Sequence, residues 1–116
     1  MKTAIVNRHS PFQIDAGREA LDLALILATY EQDVALFFQG QGVLQLKQHD
    51  KARLDKKDYT ATFKALELYD VEHVFALKSD IDKYQVDIEQ LDFAVTLLNN
   101  QEYAATLAGF DQHWSF

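Results

Sequence analysis

Val34-Ala35-Leu36-Phe37-Phe38 is the stretch that most limits what this chain can fold into: five apolar residues with no polar interruption. A strand with one wet face alternates apolar and polar residues, whereas a strand covered on both faces need not. The run therefore predicts a central parallel strand of an α/β sheet. Gly40 and Gly42 follow at once, so the chain turns sharply where that strand ends. Val43, Leu44 and Leu46 then open a short apolar segment. In open α/β sheets ligands bind beyond the carboxyl ends of the strands. This turn is the first place to look for a site, yet it holds no nucleophile and no metal ligand.

The rest of the chain supplies the partners such a strand needs. Thr3 to Val6 reads as a first strand, closed by the loop Asn7-Arg8-His9-Ser10-Pro11. Asp15 is a suitable N-cap for a helix from about Ala16 to Tyr30. Between Ala20 and Ala28 the one charge in that helix is Asp22. A surface helix should carry a polar stripe, so this one is covered on both sides, or one side meets another subunit. Leu46 to Lys57 reads as a surface loop with some helical character. Asp58 caps a helix from about Tyr59 to Leu68, with Tyr59, Phe63 and Leu66 on one face. Val71 to Leu77 is a third strand, Ser79 to Asp92 a mixed segment with a helical turn, and Phe93 to Leu98 a fourth strand. Asn99 and Glu102 resemble a capping box for a helix running to Ala108, with Gly109 as its C-cap. Phe110 to Phe116 is a last strand. Alternating strands and helices predict a three-layer α/β/α fold around a five-stranded, mainly parallel sheet, in one domain spanning 1–116.

Composition mostly excludes. The hydrophobic share of 48% argues against disorder. A net charge of −7 repels phosphate backbones and argues against a direct grip on tRNA or DNA. Cysteine is absent, which removes disulfides, thiolate chemistry and zinc–sulfur sites together. The apolar part of MKTAIVNRH is too short for a signal peptide, and no run reaches the roughly 18 apolar residues of a membrane span, so a cytoplasmic location is expected.

Few residues form a chemical constellation. Gly40-Gln41-Gly42 lacks the third glycine of a dinucleotide fingerprint, whose position is Gln45, and follows the second strand, not the first; a plain turn is the better account. His9, His49, His73 and His113 are too far apart for a local metal clasp. His9 nevertheless falls at the carboxyl end of the first strand. Asp80 and Asp82 begin like a calcium loop, but Tyr84 and Gln85 break the pattern, leaving a solvated turn. Arg18 and Glu19 at the start of the first helix suit an ion pair or interface contact better than an anion site. Ser10 and Ser79 have no visible base partner. The aromatic residues Phe37, Phe38, Phe63, Tyr69 and Phe75 are spaced for core and subunit packing. If a small-molecule or nucleotide site exists, its cleft lies near His9, Gly40 and Ser79. No metal and no cofactor is expected.

Three blocks carry a resemblance: Gly17-Arg18-Glu19-Ala20-Leu21-Asp22 opening the first helix, Phe37-Phe38 with Gly42-Val43, and Tyr59 with Phe63-Lys64-Ala65-Leu66 and Leu68-Tyr69-Asp70. Over nearly its whole length the chain resembles the TusC/DsrF branch of the DsrE/F/H sulfur-relay family. The resemblance implies an α/β/α fold with a five-stranded parallel sheet. It also implies membership of a TusBCD-like heterohexamer, with TusB-like and TusD-like partners. That complex relays persulfide sulfur to a TusE-like carrier for 2-thiolation of wobble uridine in tRNA. The family's sulfur-bearing cysteine follows the third strand. The matching region here is Leu77-Lys78-Ser79, with no thiol. Persulfide transfer needs a thiolate, so the chain is expected to be a structural, non-catalytic subunit, and an apolar first helix is what such a subunit exposes. Gly17, Arg18, Glu19, Leu21, Asp22, Phe37, Phe38, Gly42, Tyr59, Phe63 and Tyr69 are the family-motif and candidate interface residues. The alternatives are a DsrF-like subunit in sulfur oxidation, an enzyme using the strand-end cleft, and direct tRNA binding by the chain.

Overall fold

The computed structural model describes residues 2–9, 23–28, 33–47, 73–90 and 94–116. Five strands are found among them: β1 (Lys2–Asn7), β2 (Asp33–Phe38), β3 (His73–Leu77), β4 (Thr96–Leu98) and β5 (Gln112–Ser115). They form one sheet in the order β4-β3-β2-β1-β5, and every neighbouring pair is parallel. The apolar run of β2 is thus the middle strand. Its residues from Val34 to Phe38 are all buried, as an uninterrupted apolar strand requires.

This order dictates where the helices go. The connections from β1 to β2, β2 to β3 and β3 to β4 all step the same way across the sheet. The connection from β4 to β5 steps back past β3, β2 and β1. Right-handed crossovers therefore put the first three on one face and the last on the other. The packing agrees. On the first face Ile5, Val34, Leu36, Phe38, Val74 and Ala76 meet Ala24 of α1 (residues 23–28). They also meet Val43 and Leu46, from the 3-10 turn Gly40–Val43 and α2 (Leu44–Lys47), and Ile81 of α3 (Lys78–Lys83). On the second face Ala4, Val6, Ala35 and Phe37 lie against Tyr103 and Leu107 of α4 (Asn100–Ala108), with Phe110 behind it. Phe37 is the hub there: its ring stands edge-on to Tyr103 and to Phe110, each at 5.4 Å, and tilted to Phe75 at 5.0 Å.

The expected capping box is present in both halves. Asn99 Oδ1 accepts from the Glu102 N–H at 2.8 Å, and Glu102 Oε1 accepts from the Asn99 N–H at 3.0 Å. Gly109 is the C-cap, but its φ of −76° is one any residue can adopt. The mixed segment is more ordered than expected, with α3 beginning directly at Lys78 and a 3-10 turn at Ile88–Gln90. Two strands are shorter than expected. β4 pairs only with the last three residues of β3. At β5, Phe110 turns inward onto Phe37 and the Asp111 N–H donates to the Lys2 carbonyl at 2.8 Å, so pairing starts at Gln112. The helix expected over Tyr59 to Leu68 and most of the one over Ala16 to Tyr30 lie outside the described residues. Within α1 most side chains are turned inward, but Ile26 is 55% exposed. No helix among the described residues is long and apolar enough to cross a membrane.

Candidate functional site at the carboxyl end of the sheet

The strand ends are held by backbone packed on backbone. Asn7 closes β1 and is buried. Its carbonyl accepts from the Gln39 N–H at 3.0 Å, and its side-chain Nδ2 donates to the Phe37 carbonyl at 3.3 Å. Arg8 N–H donates to the Phe116 carbonyl at 2.8 Å, tying the chain's end to the same place. Gly42 lies against Asn7 so closely that an added Cβ would collide with the Asn7 carbonyl. The glycine is therefore needed for close approach, not for the turn. The turn belongs to Gly40, whose φ is +54°.

His9, Gly40 and Ser79 come to this one end, after β1, β2 and β3 respectively. The link between the last two is Asp80, in the first turn of α3. Its Oδ2 accepts from the Gly40 N–H at 2.7 Å, a short, charge-assisted bond. Next to it, from the fourth strand end, comes Tyr103 of α4. Tyr103 is 6% exposed, and its hydroxyl has no hydrogen-bond partner among the described residues. Burial, and secondarily the charge of Asp80, push its phenol well above the ordinary range. It is a neutral donor at any physiological pH. Ser79 itself is exposed, and the described residues supply it no hydrogen-bonded base.

Asp80 and Tyr103 were not legible as site residues. Asp80 looks like part of a failed calcium loop, and the group it serves is forty residues away in sequence. Tyr103 had one available signal: it lies one position beyond the capping-box Glu102 and four before Leu107, on the face that α4 must bury.

The other candidates are dispersed. His73 stands at the opposite end of the sheet, where β3 starts. His113 on β5 makes a 2.8 Å hydrogen bond through Nε2 to the Leu107 carbonyl. Among the described residues no three His, Asp or Glu side chains are grouped to hold a metal ion. Phe37 and Phe38 are fully enclosed and Gly42 is buried, so within the motif blocks these three serve the chain's own packing. Phe75 is only partly buried. Gly17, Arg18, Glu19, Leu21, Asp22, Tyr59, Phe63 and Tyr69, together with His49 and Ser10, lie outside the described residues. What the site can do chemically is limited: a carboxylate, a neutral phenol and an unassisted serine offer hydrogen bonds but no thiol.

Comparison with known proteins gives four results. The family model described as "DsrE/DsrF-like family" matches residues 1–113. A protein TusC homolog of Aliivibrio fischeri is 33% identical over 112 residues, covering 96% of this chain and 95% of the relative. Protein TusC of Buchnera aphidicola subsp. Schizaphis graminum is 32% identical over 112 residues, covering 95% and 94%. Among solved structures, the YchN protein of E. coli is similar with a TM-score of 0.80 over 100% of this chain and 99% of that one; at 21% identity this bears on the fold alone.

Proposed function

Because this chain belongs to the DsrE/DsrF-like family, we propose that it is a structural subunit of a TusBCD-like sulfur-relay complex. It contributes surface and not chemistry to 2-thiolation of wobble uridine in tRNA. One observation carries the proposal: the position after β3 holds Lys78-Ser79-Asp80, in a chain with no cysteine. Sulfane sulfur must ride on a thiolate. A serine cannot hold it, and this serine lacks a base. The persulfide therefore travels on a TusD-like partner, in a heterohexamer that also contains a TusB-like chain and hands sulfur to a TusE-like carrier. The names of the curated relatives favour this over the sulfur-oxidation role of DsrF-like subunits. A cytoplasmic site of action follows from the same reading.

Co-expression with TusB-like and TusD-like chains, followed by native mass spectrometry, is the test. The expected species contains two copies of each chain. A stable monomer that ignores both partners overturns the proposal. In the reconstituted relay, Ser79→Ala should transfer sulfur at the wild-type rate. A large loss there would mean the chain takes part in the chemistry after all.

A further inference from the structure

One opening lies away from the strand-end site just described. A half-open cleft of about 590 Å³ lies at the amino end of the sheet, on the face that α4 covers. That volume is within the range of small-molecule pockets. It exists because α4 is short. Nine residues at about 1.5 Å each reach only part of the way down the face, and the chain leaves the helix at Gly109.

Register sets what the cleft presents. Lys2 and Asp33 are paired neighbours at the starts of β1 and β2, and His73, which starts β3, pairs with Ala35. By strand alternation all three share a face with Ala35, Phe37 and Phe75. Lys2 and Asp33 carry opposite charges and spring from paired positions on neighbouring strands, whose backbones lie about 4.8 Å apart. Both are exposed, and no ion pair joins them among the described residues. The His73 ring is parallel to that of Phe75 and offset from it, with planes 4° apart and centroids 5.9 Å apart. His73 is exposed, so the ring face turned away from Phe75 can take a second planar group. Across the cleft stand Thr106 and Phe110, at the carbonyl end of α4, whose dipole favours a cation.

We propose that this cleft binds a small zwitterion with a planar apolar body, of the aromatic amino-acid class. An α-amino acid carries its two charges on neighbouring atoms, and the paired Lys2 and Asp33 offer a cation and an anion from neighbouring positions. Its ammonium lies toward Asp33 and the helix end, its carboxylate toward Lys2, and its ring extends the Phe75–His73 stack. A simple anion would face Asp33 and the helix carbonyls; a simple cation would face Lys2. A zwitterion satisfies both. The proposal does not depend on the sulfur-relay reading, since it uses neither the carboxyl end of the sheet nor a partner.

Equilibrium dialysis of radiolabelled L-tryptophan against the full chain, in whatever assembly it purifies, tests this. The expected result is saturable binding of one molecule per chain. Asp33→Asn and Lys2→Met should each weaken it about tenfold, the loss of one charge-assisted contact. Tryptamine and indole-3-propionate, each lacking one charge, should bind about tenfold more weakly for the same reason. Thr106→Gln, which fills the cleft from the helix side, should abolish it, with circular dichroism confirming that each variant is folded. Absence of saturable binding in the millimolar range overturns the proposal. So does binding that all three substitutions leave unchanged, or binding of either single-charge analogue as tight as that of tryptophan.

Discussion

At the carboxyl end of the sheet, backbone meets backbone. Asn7, Gln39, Gly42 and Phe37 are locked by main-chain contacts, Asp80 pins Gly40, and Tyr103 closes the space beside them. At the amino end, the same five strands begin with exposed charged and polar side chains, and those of β1, β2 and β3 border an open cleft. The fold class puts function at the first end, yet there the chain spends its specificity on packing. The contrast teaches that the two ends of one sheet can be built differently, one closed by main-chain contacts and the other left open between side chains.

The sharpest way to break the contrast is at the two glycines of the β2 turn. A Cβ on Gly42 would collide with the Asn7 carbonyl oxygen, and would lie 2.5 Å from the carbonyl carbon and 3.0 Å from the Arg8 nitrogen. All three are backbone atoms with no rotamer to change. Gly42→Ala should therefore cost about 3 kcal/mol or more, measured by chemical denaturation. Gly40 has space, with its nearest neighbour at 3.8 Å, but a φ of +54°. Gly40→Ala should cost only about 1 kcal/mol, the left-handed penalty. If the two substitutions cost the same, the carboxyl end is not the close-packed region described here.

Asp80 comes next. Removing its carboxylate strands a half-buried Gly40 N–H that now makes a 2.7 Å bond. Asp80→Ala should cost about 1–2 kcal/mol, discounted from a fully buried bond because the site is part-exposed. Asp80→Asn, which keeps an acceptor, should recover about half of it. Equal losses for the two variants would mean that the bond contributes little.

How far the sequence foretold this follows from range. The central strand was legible because burial on both faces writes itself into consecutive residues, Val34 to Phe38. The capping box was legible because its two bonds span three residues. The alternation of strands with helices that gives a parallel sheet was legible for the same local reason. Gly42 and Asp80 were not: a glycine wanted for a turn and a glycine wanted for close approach look alike, and an aspartate reaching across forty residues leaves no local mark. The cleft was hidden too. It depends on where α4 stops over the sheet, which no periodicity records.

Tyr103 offers a smaller effect with a definite sign. Its phenol is raised above the ordinary value near 10, first by burial and then by Asp80. The folded chain thus keeps a proton that the unfolded chain releases once pH passes that ordinary value. Stability from this group is complete below it and is lost as pH rises above it. Tyr103→Phe removes the hydroxyl that has no partner among the described residues. At neutral pH the variant should match the wild type or gain up to about 1 kcal/mol. At alkaline pH its denaturation midpoint should fall less steeply than that of the wild type. A variant clearly weaker at neutral pH would show that the hydroxyl does have a partner in solution.

The amino end should yield the smallest changes of all. Asp33 and His73 are exposed at the starts of their strands, and neither fills the core. Asp33→Asn should shift stability by less than about 0.5 kcal/mol. His73→Ala should cost about 0.5 kcal/mol, the stacking on Phe75. Losses as large as that of Gly42→Ala would place these residues in the architecture and erase the difference between the two ends. Small losses have a further consequence. Side chains that the fold does not require can be altered freely, so at this end a change in binding can be measured without a change in folding, which the carboxyl end does not permit.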